Sequence, residues 1–206
     1  QRGFREITVN GKTYTVGGKF DMVAEGIVHD NKSTTAYSWV FGNNDENYQL
    51  QGSLYRWINP EIITQDFIRI NFIFTDWQKA QAKSNPKYPK SRLEKKEIPL
   101  MTERDTDLWV KNKINLVQTY WEAPENAMPE CTKEELWMSD PQYKYYSDPE
   151  KTSGGSTRNF DTLAEANQYW RVEKKGKGIV VTVPGEVKRC AYCNAAPVCQ
   201  QRLRYI

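Results

Sequence analysis

Hydrophobic and polar positions alternate through the first third of the chain, and the alternation predicts strands. Residues 4–9 and 12–16 flank Asn10-Gly11, a strong hairpin signal. A second hairpin is expected across Glu25-Gly26, with Val23 opposite Val28. From about residue 46 to 57 the period lengthens. Leu50, Leu54 and Trp57 fall at helical spacing until Asn59-Pro60 stops the element. Residues 67–75 (FIRINFIFT) read as a buried strand. Between Trp77 and Pro99 the pattern dissolves into Lys, Pro and Ser, which predicts a surface loop. Thr102-x-x-Asp105 is a capping signature for a helix running to about Trp121.

The remainder is less regular. Residues 122–158 carry several prolines and Ser153-Gly154-Gly155-Ser156, with a short helical piece expected after Thr132. A helix over 161–170, capped by Asp161 or Thr162, precedes a strand over 177–183. The order predicts an α/β (α+β) fold. Its expected parts are a core over residues 1–121 and a helical C-terminal segment over 122–206, packed on the core as one domain.

Composition narrows the class. Seven Trp, twelve Tyr and seven Phe in 206 residues supply buriable surface that disordered chains lack. No apolar run approaches the roughly 18–20 residues of a membrane span, and no secretory h-region opens the sequence. The expected compartment is therefore a reducing cytoplasm, with no membrane partner. Twenty-nine basic against twenty-six acidic side chains leave +3, so an anionic partner must be argued from local clusters. A single histidine, His29, excludes a His-rich zinc catalytic site, and no Gly-rich phosphate loop is present.

The second hairpin carries the chemistry. Its expected register sets Asp21 opposite Asp30, and strand alternation puts Lys32 on the same face. Facing carboxylates repel unless a cation lies between them, and hard oxygen ligands suit Mg²⁺ or Mn²⁺. On geometry alone the same three residues also read as a surface ion-pair cluster.

Gly18-x-x-Asp21 followed by Asp30-x-Lys32 resembles the active-site signature of the PD-(D/E)xK nuclease superfamily. Gln51-x-x-x-Tyr55, on the helix after the hairpin, resembles the QxxxY motif of its RecB-like branch, with Gln49 a weaker alternative. The resemblance implies a restriction-endonuclease-like mixed sheet core flanked by helices. It also implies a metal-dependent DNA nuclease, with exonuclease action on single strands or ends expected. Asp21 and Asp30 would bind the metal, Lys32 would assist the attacking water, and Gln51 and Tyr55 would position substrate. A non-catalytic DNA-binding or assembly module keeping the nuclease fold is the alternative. The branch usually has a helix before the first strand that supplies a further ligand; here Glu6 is the only upstream acid. His29 alternates away from Asp30 and reads as structural.

Cys190-x2-Cys193-x5-Cys199 resembles the C-terminal cysteines of iron–sulfur nucleases in this branch, and more loosely phage-encoded relatives, whose compartment would be the host cytoplasm. The fourth ligand would be Cys131, downstream of the nuclease motifs rather than upstream. By chemistry alone four thiolates hold either a [4Fe–4S] cluster or Zn²⁺; the resemblance favours the cluster. Two basic stretches are candidate DNA surfaces: Lys79 to Lys96, interleaved with Trp77 and Tyr88, and Lys174 to Arg189.

Overall fold

A computed structural model describes residues 1–41 and 44–205. The chain forms two compact units, residues 1–121 and 122–206.

The first unit opens with a hairpin of β1 (Arg2–Val9) and β2 (Lys12–Lys19), paired from Val9↔Lys12 to Arg2↔Lys19. Asn10 and Gly11 both take positive φ at its turn (50° and 76°), the backbone that matches the twist of a tight hairpin. The pair forms a sheet of its own. Ile7 and Val9 of β1 pack with Trp57, Ile58 and Val110 into a small core. Arg5 ties the hairpin further, its guanidinium 4.3 Å from the Trp57 ring centroid and donating to the Trp57 carbonyl at 2.7 Å.

The main sheet has four strands in the order β3-β4-β5-β6: β3 (Met22–Ala24), β4 (Ile27–Thr34), β5 (Phe67–Phe74) and β6 (Leu93–Pro99). β3 and β4 are antiparallel across Glu25-Gly26, with Val23 opposite Val28 as the pattern predicts. β4 and β5 are parallel, joined by the crossover that parallel pairing requires, here α1 (Ala36–Phe41) and α2 (Asp45–Ile58). One sheet face carries Val28, Ile68, Ile70, Phe72, Phe74 and Ile98, which form the main core with Phe20, Ala36 and Ile63. α2 crosses this face at Gly52, where a Cβ would meet Ile68 Cβ at 2.8 Å and Leu100 Cδ2 at 2.7 Å. Glycine is what lets helix and strand approach so closely.

α4 (Glu103–Tyr120) starts where the capping signature sets it, with Asp105 N donating to Thr102 Oγ1 at 3.1 Å. The stretch read as a loop from Trp77 to Pro99 is different: it holds α3 (Lys79–Ser84) and the edge strand β6, antiparallel to β5. LEKKEIP hides its strand character because an edge strand carries charge to repel further pairing.

The second unit is built on a three-stranded antiparallel sheet, β8-β7-β9, with β7 (Gln142–Tyr146) between β8 (Arg158–Phe160) and β9 (Ile179–Val183). The expectation of a helical segment is thus corrected. Its only α-helix among the described residues is α5 (Leu163–Gln168), capped by Thr162 and continued by a π-turn over Tyr169–Glu173. The piece after Thr132 is a run of turns, opened by a reciprocal pair: Thr132 N donates to Glu135 Oε2 at 2.9 Å, and Glu135 N to Thr132 Oγ1 at 3.2 Å. Overall the fold is α+β. No helix among the described residues is long and apolar enough to cross a membrane.

Candidate active site

Alternation along β4 sorts its side chains onto two faces. His29 and Asn31 lie on the outer face beside Arg69 and Asn71, and Asn71 Nδ2 donates to Asn31 Oδ1 at 3.1 Å. Val28, Asp30 and Lys32 lie on the other face, beneath α2. Asp30 therefore comes to rest next to Ile70, only 5% exposed, among residues that would otherwise be apolar core.

A buried carboxylate needs compensation. Lys32 Nζ stands 2.7 Å from Asp30 Oδ2. Gln51 Nε2 donates to Asp30 Oδ1 at 3.0 Å and contacts the Tyr55 hydroxyl oxygen at 2.9 Å. Lys32 Nζ also reaches Gln51 Oε1 at 3.5 Å. Asp30, Lys32, Gln51 and Tyr55 thus form one connected cluster, because residues four apart share a helical face and residues two apart share a strand face. Asp30 Oδ2 makes no hydrogen bond and is balanced by the charge of the Lys32 ammonium.

Asp21 sits at the edge of the cluster. It is exposed, one residue before β3, and outside the paired ladder, so its side chain does not face Asp30 across a strand pair as the register expectation had it. Instead Asp21 Oδ2 accepts from the backbone N–H of Asn31 at 3.0 Å, holding the carboxylate beside the residue that follows Asp30. Glu6 stays exposed on the separate β1–β2 hairpin. Gln49 is used elsewhere, donating to the Pro99 carbonyl at 2.9 Å.

Tyr48 escaped the sequence reading. Lys32 Nζ lies 5.6 Å from its ring centroid, a cation–π contact. The signal was available: Tyr48, Gln51 and Tyr55 recur at helical spacing on one face. His29, on the outer face, has its pKa lowered by burial and then by Arg69, against an opposing pull from Glu25.

The aromatic interleaving of the first basic stretch is structural. Tyr88 is buried, its hydroxyl accepting from Gln78 N at 3.0 Å, and Trp77 Nε1 donates to the Pro89 carbonyl at 2.9 Å. In the second stretch, Arg189 lies 4.8 Å from the Trp137 ring centroid and Lys174 5.2 Å from that of Tyr169.

In the second unit all four cysteines are free thiols, Cys131 exposed and the other three half-buried. The chain returns on itself, so that residues 130–131 meet residues 201–204. Gln201 clasps the Cys131 backbone, its Oε1 accepting from Cys131 N at 2.9 Å and its Nε2 donating to Cys131 O at 3.2 Å. Arg204 pairs with Glu130 at 2.5 Å, and Arg189 N donates to the Leu136 carbonyl at 3.0 Å. Desolvation raises the Cys131 thiol pKa first, then the charges of Glu135, Cys199, Cys193 and Cys190 add to it. Among the described residues, no three His, Cys, Asp or Glu side chains stand grouped as a metal site.

No protein-family model matches the chain, and no curated protein matches it. Among solved structures, the crystal structure of SSO0001 is similar at 20% identity and a TM-score of 0.38, covering 62% of this chain and 54% of that one. The chain thus spans about half the length of SSO0001.

Proposed function

We propose that the chain is a metal-dependent deoxyribonuclease of the PD-(D/E)xK type, acting through Asp30, Lys32, Gln51 and Tyr55. The observation that carries this reading is the buried Asp30, bound by Gln51 on one oxygen and ion-paired with Lys32 on the other. Asp30 and Asp21 would hold Mg²⁺ or Mn²⁺; a small hard ion needs only one or two carboxylates when substrate phosphate completes its shell. When bound, the ion supplies charge against a phosphoryl oxygen and acidifies a water.

Each remaining role falls to this chain's own groups. Gln51 fixes the Asp30 carboxylate so that it does not rotate away from the site. Lys32 carries a positive charge into the place where negative charge builds as water adds to phosphorus and the bond to the leaving oxygen breaks. With its oxygen receiving the Gln51 amide, Tyr55 keeps its own O–H to donate to a phosphate oxygen.

For the second unit we infer a thiolate-held centre on Cys131, Cys190, Cys193 and Cys199, a [4Fe–4S] cluster in preference to Zn²⁺. The support is the donor set and the folding-back of the chain that fastens Cys131 to Gln201, two residues beyond Cys199. Its role is to close the segment, since binding free energy at a structural centre is folding free energy. A centre of this kind belongs in a reducing compartment such as the cytoplasm.

The test is Mg²⁺-dependent cleavage of labelled single-stranded DNA by Asp30→Asn and Lys32→Ala. Both variants should lose at least about 100-fold in rate, the scale set by removing one electrostatic stabiliser, while circular dichroism shows that both remain folded, Lys32→Ala melting lower because Asp30 loses its buried counter-charge. Full cleavage by both would overturn the assignment. DNA binding without cleavage by the wild type would favour the non-catalytic module.

A further inference from the structure

Beyond Lys32 the same face of β4 runs into a cavity. Thr34 lies two residues further on, about 7 Å at the rise of a strand. It lines a depression of about 420 Å³ together with Trp39 of α1, Tyr48 of α2 and Phe72 of β5. The walls are aromatic and braced: Trp39 stands edge-on to Phe72 at 5.3 Å, and Tyr48 meets Phe72 at 6.2 Å. Polar groups interrupt the walls. Ser38 brings a hydroxyl, and Asn44 brings an amide that caps nothing at the start of α2.

Tyr48 belongs to both places. It lines the cavity and lies against Lys32, so the cavity adjoins the carboxylate cluster along β4 and along α2. The charge balance differs between them. Lys96, the one cation lining the cavity among the described residues, is held by both oxygens of Asp45 at 2.7 and 2.6 Å. The cluster thus offers charge to a phosphate, and the neighbouring cavity offers none.

We propose that this cavity receives one unpaired base of a single DNA strand whose phosphate lies at Asp30 and Lys32. The inference rests on the nuclease reading and adds to it a substrate class, a strand with a base released from stacking beside the cut. A base has a π-face for the Trp39 and Tyr48 walls and a hydrogen-bonding edge for Ser38 and Asn44. A second phosphate would meet a lysine already neutralised by Asp45. A base within a duplex is stacked on both faces and must be extruded before it can enter, so unpaired substrate is favoured.

The test is an abasic scan on the full chain. One abasic residue is moved along a single-stranded oligonucleotide, and cleavage in Mg²⁺ is mapped at nucleotide resolution. At one register, next to the cut phosphate, the abasic residue should slow cleavage roughly ten-fold, the order expected for loss of one stacked base. In Asn44→Ala and Trp39→Leu the ratio between intact and abasic strands should shrink toward one. The scan on wild type decides the matter even if Trp39→Leu does not fold. A scan flat at every register, with cleavage otherwise normal, overturns the base cavity and leaves the nuclease reading standing. No cleavage of any strand by the folded chain overturns both.

Discussion

The two candidate sites of this protein are held in opposite ways. The carboxylate cluster of the first unit is built on β4 and α2, and its donors come from a regular strand and a regular helix packed on the main core. Asp30 is buried and cross-linked by side chains whose positions the sheet and helix already dictate. The cysteine segment of the second unit rides on turns and two short 3₁₀ stretches, Arg189–Tyr192 and Gln201–Arg204. It is held by isolated side-chain ties such as Gln201 to the Cys131 backbone and Arg204 to Glu130. A site on rigid elements is complete before any ion arrives. A site on turns needs its ligand to finish the fold.

That contrast can be broken most forcefully at Cys190. Cys190→Ser, or treatment with a chelator and reductant to strip the proposed centre, should cost residues 186–205 most of their amide hydrogen-exchange protection. Strands β4 and β5 should keep theirs. Equal loss in both units would mean that the cysteine segment is not the part that depends on its ligand.

A smaller effect is expected from filling the closest helix–strand contact in the first unit. Gly52→Ala forces a methyl against Ile68 and Leu100 and should destabilise this unit by about 1–3 kcal/mol, read from its urea transition. Because Gln51 precedes this residue, cleavage should also fall. An unchanged urea midpoint would show that α2 can shift, and the picture of a rigid cluster would fail.

The smallest expected effect is at His29. Its folded pKa is lowered, so as pH falls below the ordinary value near 6.5 the unfolded chain takes up the proton first. Its contribution to stability is therefore complete above that value and is lost as pH falls through the lower folded value. His29→Gln should flatten the acid limb of a stability–pH profile without altering cleavage at neutral pH. A large change in cleavage would bring His29 into the site, against its position on the outer face.

Much of the first site was legible because its residues obey local rules. Asn10-Gly11 and Glu25-Gly26 each set a turn, the turn sets the register, and the register sends Asp30 and Lys32 to one face. Gln51 and Tyr55 are singled out by the resemblance to a QxxxY motif, and their spacing of four puts them on one helical face. The ladder ends at Met22, however, and the bend that turns Asp21 toward Asn31 N has no signature in the sequence. β6 was missed because its charged residues serve an edge rather than a core. β7 and β8 were missed because QYKYY and RNF are short and rich in polar residues, and pairing with β9 supplies what their own propensity does not. Tyr88 and Trp77 read as exposed beside so many lysines, yet their polar atoms find partners at Gln78 and Pro89 and their rings join the core.

The central claim is that Asp30, Lys32, Gln51 and Tyr55 make a site that cuts DNA with the help of a divalent ion. The most direct measurement is incubation of the intact chain with end-labelled single-stranded DNA, with Mg²⁺ and, in parallel, with the ion chelated. The account predicts shortened products in Mg²⁺ and an intact strand after chelation. An intact strand in both Mg²⁺ and Mn²⁺, from protein shown to be folded, would contradict it.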